Sequence, residues 1–255
     1  MTGPRIILWD VETTHNVVAA FQLRDNDYIP HQNILRERYI VCAAWKTFGT
    51  QRVHSVSTLD DPKRFKENPH DDRHVIQTLH RVLSDADVLV AHNGDQFDLK
   101  MVEGRILIHG MEPLPPKATV DTLKVARRRF RLNCNRLDYL GQILGLGRKK
   151  ETKPGLWLDV LQGDPTAIKT MLRYNRQDVL LLEQVFLKLR PYVAHHVNRE
   201  MFGDIGCPRC GSLKVQSRGV YRAITRTYQR FVCLACQGWF RQVKSEAVGT
   251  KHRVL

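Results

Sequence analysis

The sequence has no run approaching the roughly 18 unbroken apolar residues that a membrane-spanning helix requires, so no membrane partner is expected. Residues 1–10 lead straight into an apolar strand pattern and lack the three-part layout of a signal peptide, which implies a cytoplasmic protein. No convincing Ser-His-Asp or Cys-His set is present, so covalent nucleophilic catalysis is not indicated. Internal repeats and low-complexity segments are missing as well. Acids are scarce: 26 Asp and Glu face 40 Lys and Arg, a net charge of +14 that suggests a polyanionic partner. The shortage is uneven. From Cys207 onward ten Lys or Arg stand against one acid, Glu246, giving +9 in 49 residues; the other 206 residues hold 30 bases and 25 acids, only +5.

What is present fits one sizeable core and a small second domain. Residues 5–9, 39–45, 52–56, 87–91 and 118–120 read as strands, the first and fourth as buried apolar runs. Val75, Leu79 and Val82 follow helical spacing, widened by Ile76 and Leu83, and further helices are expected at 95–108, 122–130, 136–144 and 166–189. The polar segment 60–72, with Pro62 and Pro69, reads as a loop, and residues 203–206 as a hinge. Strands first and alternating elements later suggest an α/β sandwich, a mixed sheet flanked by helices.

Three short segments carry the chemistry. Asp10 and Glu12 end the first strand, where i and i+2 share a face and Val11 points the other way, into the core. Two adjacent acids are unfavourable unless a cation neutralises them. In His92-Asn93-Gly94-Asp95-Gln96-Phe97-Asp98, Asn93 or Asp95 could cap the next helix, and Asp98 is preferred to Asp95 as a ligand. Tyr174 and Asp178 are i and i+4 on a late helix, so a phenol sits one turn from a carboxylate.

In this order and setting the segments resemble the DnaQ-like exonucleases of the DEDDy type. The family's Asp-x-Glu corresponds to Asp10 and Glu12, its Asn followed by Phe-Asp to Asn93, Phe97 and Asp98, and its Tyr-x-x-x-Asp to Tyr174 and Asp178. The histidine subtype would need His where Arg173 stands. Asp121-Thr122 and residues 136–140 also resemble family segments, and the likeness spans roughly residues 5–190. It implies a ribonuclease-H-like fold and hydrolysis of phosphodiester bonds from the 3′ end. Asp10, Glu12, Asp98 and Asp178 would hold two Mg²⁺ or Mn²⁺ ions about 3.5–4 Å apart, supplying an activated water and stabilising the leaving oxygen. Tyr174 would position that water, since a phenol with pKa near ~10 is no strong base at neutral pH. Thr13 and Asn93 are candidate substrate contacts.

Basic residues supply candidate strand contacts. Residues 124–131 hold five positive charges, Arg127 and Arg128 among them, either a solvated face or a cradle for phosphates. Arg148, Lys149 and Lys150 extend this set, whereas His195 and His196 are read as the end of a helix or linker. In the tail, Cys207/Cys210 and Cys233/Cys236 form two C-x-x-C pairs suited to one tetrahedral Zn²⁺, although the ligand count also fits an iron–sulfur cluster. Period-2 stretches at 221–224 and 228–232 suggest the strands of a zinc ribbon, with too little apolar material to fold without metal. Arg222, Arg226 and Arg230 alternate with aromatics there, a pattern suited to phosphates and bases.

The expected organisation is an exonuclease domain at 1–190, a linker at 191–206 and a ribbon with basic tail at 207–255. The expected substrate is single-stranded DNA, with RNA or structured nucleic acid as the alternative on the same fold. A non-catalytic reading, a nucleic-acid-binding or docking protein serving a DNA polymerase or another replication or repair protein, also fits the basic tail. Compact stand-alone proteins resembling this family occur in phage genomes, which would place such a chain in the host cytoplasm.

Overall fold

The computed structural model describes residues 3–20, 29–148, 153–193, 198–199, 205–223 and 227–243. The chain divides into two compact units, Arg5–Phe186 and one formed by Met1–Pro4 with Leu187–Leu255.

The larger unit contains β1 (Ile6–Thr13), β2 (Val17–Val18), β3 (Ile34–Arg36), β4 (Ile40–Thr47), β5 (Val53–Ser57), α1 (Pro62–Glu67), α2 (Arg73–Ser84), β6 (Val88–Ala91), α3 (Asp98–Ile108), β7 (Ala118–Asp121), α4 (Thr122–Arg129), α5 (Leu137–Ile143), α6 (Leu156–Leu161) and the start of α7 (Pro165–Leu189). Five strands make a mixed sheet in the order β5-β4-β1-β6-β7. The β5/β4 and β4/β1 pairs are antiparallel, whereas β1/β6 and β6/β7 are parallel. β1 is therefore central, where the two halves of the sheet meet.

Alternation along β1 divides the core. Ile7, Trp9 and Val11 pack with Val75, Ile76, Leu79 and Leu83 of α2 and Val102 and Ile106 of α3. Burying each such side chain contributes about 1.5–3 kcal/mol, so Leu79→Ala alone would cost about 2–5 kcal/mol. A second cluster joins Val41 and Cys42 of β4 to Leu156 and Val160 of α6 and Ala167, Ile168 and Met171 of α7. Adjacent residues share that cluster because of a bulge: Glu12 pairs with Cys42 but Thr13 with Ile40, leaving Val41 extra. Helices thus cover both faces, and the sandwich expected from the pattern is the observed architecture.

A buried ion network ties β4 to the helices. Asp72, fully buried, accepts two bonds from Arg105 (both 2.7 Å), one from His109 Nε2 (2.6 Å) and one from the Ile40 amide (3.0 Å). Buried Lys46 of β4 pairs with Glu183 of α7.

Several expectations need correction. Residues 60–72 are not all loop. Asp61 caps α1 by accepting from the Arg64 amide, and Pro62 at the first position has no amide to lose. α3 begins at Asp98, not Asp95, and Phe97 is its N-cap without a side-chain cap bond. Neither proposed cap is available: the Asp95 carboxylate binds Lys124, and Asn93 has left-handed backbone (φ 69°). The β2/β3 pair and α6 have no counterpart in the sequence reading.

The smaller unit carries a three-stranded antiparallel sheet, β8 (Val215–Arg222), β9 (Thr227–Cys233) and β10 (Trp239–Val243), in the order β10-β9-β8. The stretch at 228–232 lies within β9, that at 221–224 is strand only for Tyr221 and Arg222, which end β8, and β10 is additional. The hinge at 203–206 falls largely outside the described residues, as do Lys149, Lys150, His195, His196, Ile224 and Arg226. Among the described residues no helix is long and apolar enough to cross a membrane.

Candidate active site

Asp10 and Glu12 lie within β1, which runs on to Thr13, rather than at its end. On the face opposite Trp9 and Val11 they meet α7, and carboxylate oxygens of Asp10, Glu12 and Asp178 lie within 4.8 Å of one another. Three acids this close repel strongly, and a hard divalent cation is the partner that oxygen donors of this kind suit. Asp178 is itself buried, at 2 % exposure.

Asp98 is not one of those three. It is buried, and its Oδ1 accepts from the Val11 amide at 3.1 Å, which ties the start of α3 to the strand between Asp10 and Glu12. Its approach depends on Gly94, where an added Cβ would fall 2.4 Å from the Ala91 Cβ and 3.8 Å from Asp98 Oδ2. Asp95, by contrast, makes a partly exposed ion pair with Lys124 at 2.7 Å. Tyr174 lies one turn before Asp178 on α7, and its ring meets Trp157 of α6 edge-on at 6.4 Å.

Sequence reasoning missed Asn175. It is fully buried on α7, and its Nδ2 donates to Asp10 Oδ2 at 2.6 Å, while its Oδ1 has no partner among the described residues. An amide three residues before Asp178, and so close to its face of the helix, was the available signal. Lys46 and Glu183 were missed too, since no local pattern joins positions so far apart. Cys42, opposite Glu12 in the sheet, is held in its thiol form: burial pushes its pKa up, and the Glu12 and Asp10 charges push further.

Other candidates are placed as follows. Thr13 is half-buried just past the bulge. The Asn93 amide donates to Asp121 Oδ1 (3.0 Å), and the same oxygen accepts from the Leu123 and Lys124 amides at the start of α4. Asn93 therefore shapes the turn after β6, its short polar side chain tolerating a left-handed backbone. Arg127 and Arg128 are exposed in the last turn of α4, where they complement the helix dipole.

A second possible ligand set, Asp71, Asp72 and His109, already embraces the Arg105 guanidinium, which meets its buried charge. In the smaller unit the four cysteines gather as expected. Cys207 and Cys236 sulfurs are 3.7 Å apart, Cys210 and Cys233 sulfurs 3.6 Å, and all four lie within 4.8 Å. Ligands about 2.3 Å from a tetrahedral Zn²⁺ would sit about 3.8 Å apart, so the set fits one ion. The two knuckles repeat one backbone device: the amides of Gly211 and Gln237 return to the carbonyls of Cys207 and Cys233, both with left-handed φ. Burial works to raise the Cys233 thiol, yet the amides of Cys236 and Ala235, with the thiols of Cys210 and Cys236, together outweigh it and bring the pKa down to about 7. Burial raises Cys210 and Cys236 instead.

No curated protein matches the chain. Among solved structures it is similar to a family B DNA polymerase from the hyperthermophilic archaeon Pyrobaculum calidifontis, at 18 % identity and a TM-score of 0.52. The likeness covers 75 % of this chain and 26 % of that one, so the chain spans about a quarter of the polymerase's length, and the resemblance is one of fold. A family model described as the RNase_H superfamily matches residues 46–190, beginning near the end of β4, after the strand that carries Asp10 and Glu12. That match covers more than half of the chain and runs through the helix bearing Tyr174 and Asp178: the chain belongs to the RNase_H superfamily.

Proposed function

We propose that the chain is a divalent-metal-dependent 3′→5′ exonuclease of the tyrosine subclass, acting on single-stranded ends, with DNA as its substrate. The observation that carries this reading is the convergence of Asp10, Glu12 and Asp178 from two distant segments to within 4.8 Å. These three, with Asp98, would hold Mg²⁺ or Mn²⁺. Bound in a pair, such ions supply an activated water and stabilise charge on the leaving 3′ oxygen.

The chain's own groups do the positioning. Asn175 holds one Asp10 oxygen by its Nδ2 and so fixes a carboxylate of the cluster. Asp98 fixes the strand between the two β1 acids through the Val11 amide. Tyr174, whose ring meets Trp157 edge-on, would orient the attacking water by its hydroxyl. Residues 1–190 form the exonuclease domain and 207–255 a zinc ribbon, joined by 191–206, with Cys207, Cys210, Cys233 and Cys236 holding a structural Zn²⁺ that supplies much of the ribbon's folding energy.

The test is a 5′-labelled single-stranded oligonucleotide incubated with the protein and Mn²⁺. A ladder shortening from the 3′ end, lost in Asp10→Ala, is the expected result. Binding without cleavage, or cleavage that survives Asp10→Ala, would overturn it. An RNA strand run in parallel decides the sugar preference.

A further inference from the structure

Strand pairing in the smaller unit sorts its side chains into two unlike faces. Tyr221 lies opposite Tyr228, Arg230 opposite Arg241, and Val232 opposite Trp239. Since alternate residues share a face, Tyr221, Tyr228, Arg230, Trp239 and Arg241 all project from one side. The reverse side carries Phe231 and Phe240, stacked at 5.3 Å, and Arg222.

Much of the first face is open: Tyr221 is 42 % exposed, Trp239 52 %, and both arginines are exposed, with Tyr228 half-buried and Val232 buried among them. Its arginines rest on rings rather than carboxylates. The Arg241 guanidinium is 4.4 Å from the Tyr228 ring centre and 5.3 Å from that of Tyr221, and Arg230 is 5.9 Å from Trp239. The sequence has no acid between Cys207 and Val243, so none there can neutralise them.

Flat rings and guanidinium planes side by side, in a segment that holds positive charge and no acid of its own, match an unpaired base attached to a phosphate. Spacing sharpens the match. Same-face positions along a strand recur every ~6.8 Å, about twice the ~3.4 Å separation of stacked nucleotides in one strand. A strand whose bases sit on successive same-face positions must be unstacked there, which a single strand can be and a duplex cannot.

We propose that Tyr221, Tyr228, Arg230, Trp239 and Arg241 form a stacking platform for unpaired nucleotides, and that Arg222, on the reverse face, is outside it. The platform goes beyond the nuclease reading and does not depend on it.

The test uses the full chain carrying Asp10→Ala, loaded with zinc, so that binding is read without cleavage. Fluorescence anisotropy follows a single strand of about 12 nucleotides, an abasic strand of the same length, and a duplex. The base-bearing strand should bind more tightly than the other two. Trp239→Ala should weaken it by about 5- to 150-fold, the equivalent of one lost base–aromatic stack, and leave the abasic strand nearly unaffected. Trp239→Phe should restore most of the loss, and Arg222→Ala should have little effect. Zinc content measured on each variant verifies that the ribbon is folded. Equal binding of base-bearing and abasic strands, or equal weakening of both by Trp239→Ala, would overturn the platform. Failure to bind any nucleic acid would do the same and leave the cleavage assay to judge the nuclease independently.

Discussion

Asn175 reaches from α7 to Asp10 on β1 and donates one short hydrogen bond, 2.6 Å, to a carboxylate that also belongs to the acidic cluster. A carboxylate gripped on one oxygen presents the other in a fixed direction, and partners of this kind raise metal affinity by about 10–100-fold. Asn175→Ala should therefore weaken Mn²⁺ binding by about that factor, measured by calorimetry, without unfolding the protein. Unchanged affinity in a folded variant would show that the bond only packs the helix.

Two glycines should respond in opposite directions to alanine. Gly94→Ala puts a Cβ 2.4 Å from that of Ala91, so the turn carrying Asp98 must shift, at about 1–3 kcal/mol. Gly104, within α3, has open space at the Cβ position, and alanine there should stabilise by about 0.5–1 kcal/mol. Urea unfolding of both variants is the check, and destabilisation by Gly104→Ala would contradict the helix geometry.

Removing one partner of the Lys46–Glu183 pair leaves the other charge buried. Lys46→Met should cost about 3–5 kcal/mol, and adding Glu183→Leu should recover most of it. A double variant as unstable as the single one would mean that the loss comes from packing.

His70 gives the stability a pH dependence. Burial, then the Arg36 charge, holds its pKa below the usual 6.5. Arg36 Nη1 lies 2.7 Å from His70 Nε2, an arrangement that needs a neutral ring as acceptor. The unfolded chain thus takes up a proton at higher pH than the folded one, and stability falls as pH drops below 6.5 toward the lower folded value. Above 6.5 the effect is absent. His70→Gln should flatten this part of the curve in thermal unfolding followed from pH 7.5 to 5.5, and an unchanged slope would assign it to another group.

Metal analysis should find about one zinc per chain, lost in Cys233→Ser, with β8–β10 losing protection from amide exchange while β1–β7 keep theirs. Zinc retained by that variant would exclude the four-cysteine site.

Much of the fold was written in local pattern. The apolar runs at 6–9 and 88–91 and the helical stripe of Val75, Ile76, Leu79 and Leu83 show in the sequence because burial on one face imposes a period. The two cysteine pairs are equally plain, since a knuckle needs both thiolates in one turn. Short elements were harder. α1 was concealed by its two flanking prolines, although Pro62 serves as its first residue, and α6 is too short for a periodic signal.

The sequence by itself determined which residue types could do chemistry and on which side of each strand or helix they stand, because alternation and i,i+4 spacing are properties of the backbone. Tertiary structure alone decided which of them meet. It brought Asp178 to Asp10 and Glu12, set Asn175 against Asp10, tied Asp98 to Val11, paired Lys46 with Glu183 and put Arg222 on the face opposite Trp239. Those partners come from separate segments, and only sheet order, register and helix packing bring such segments together.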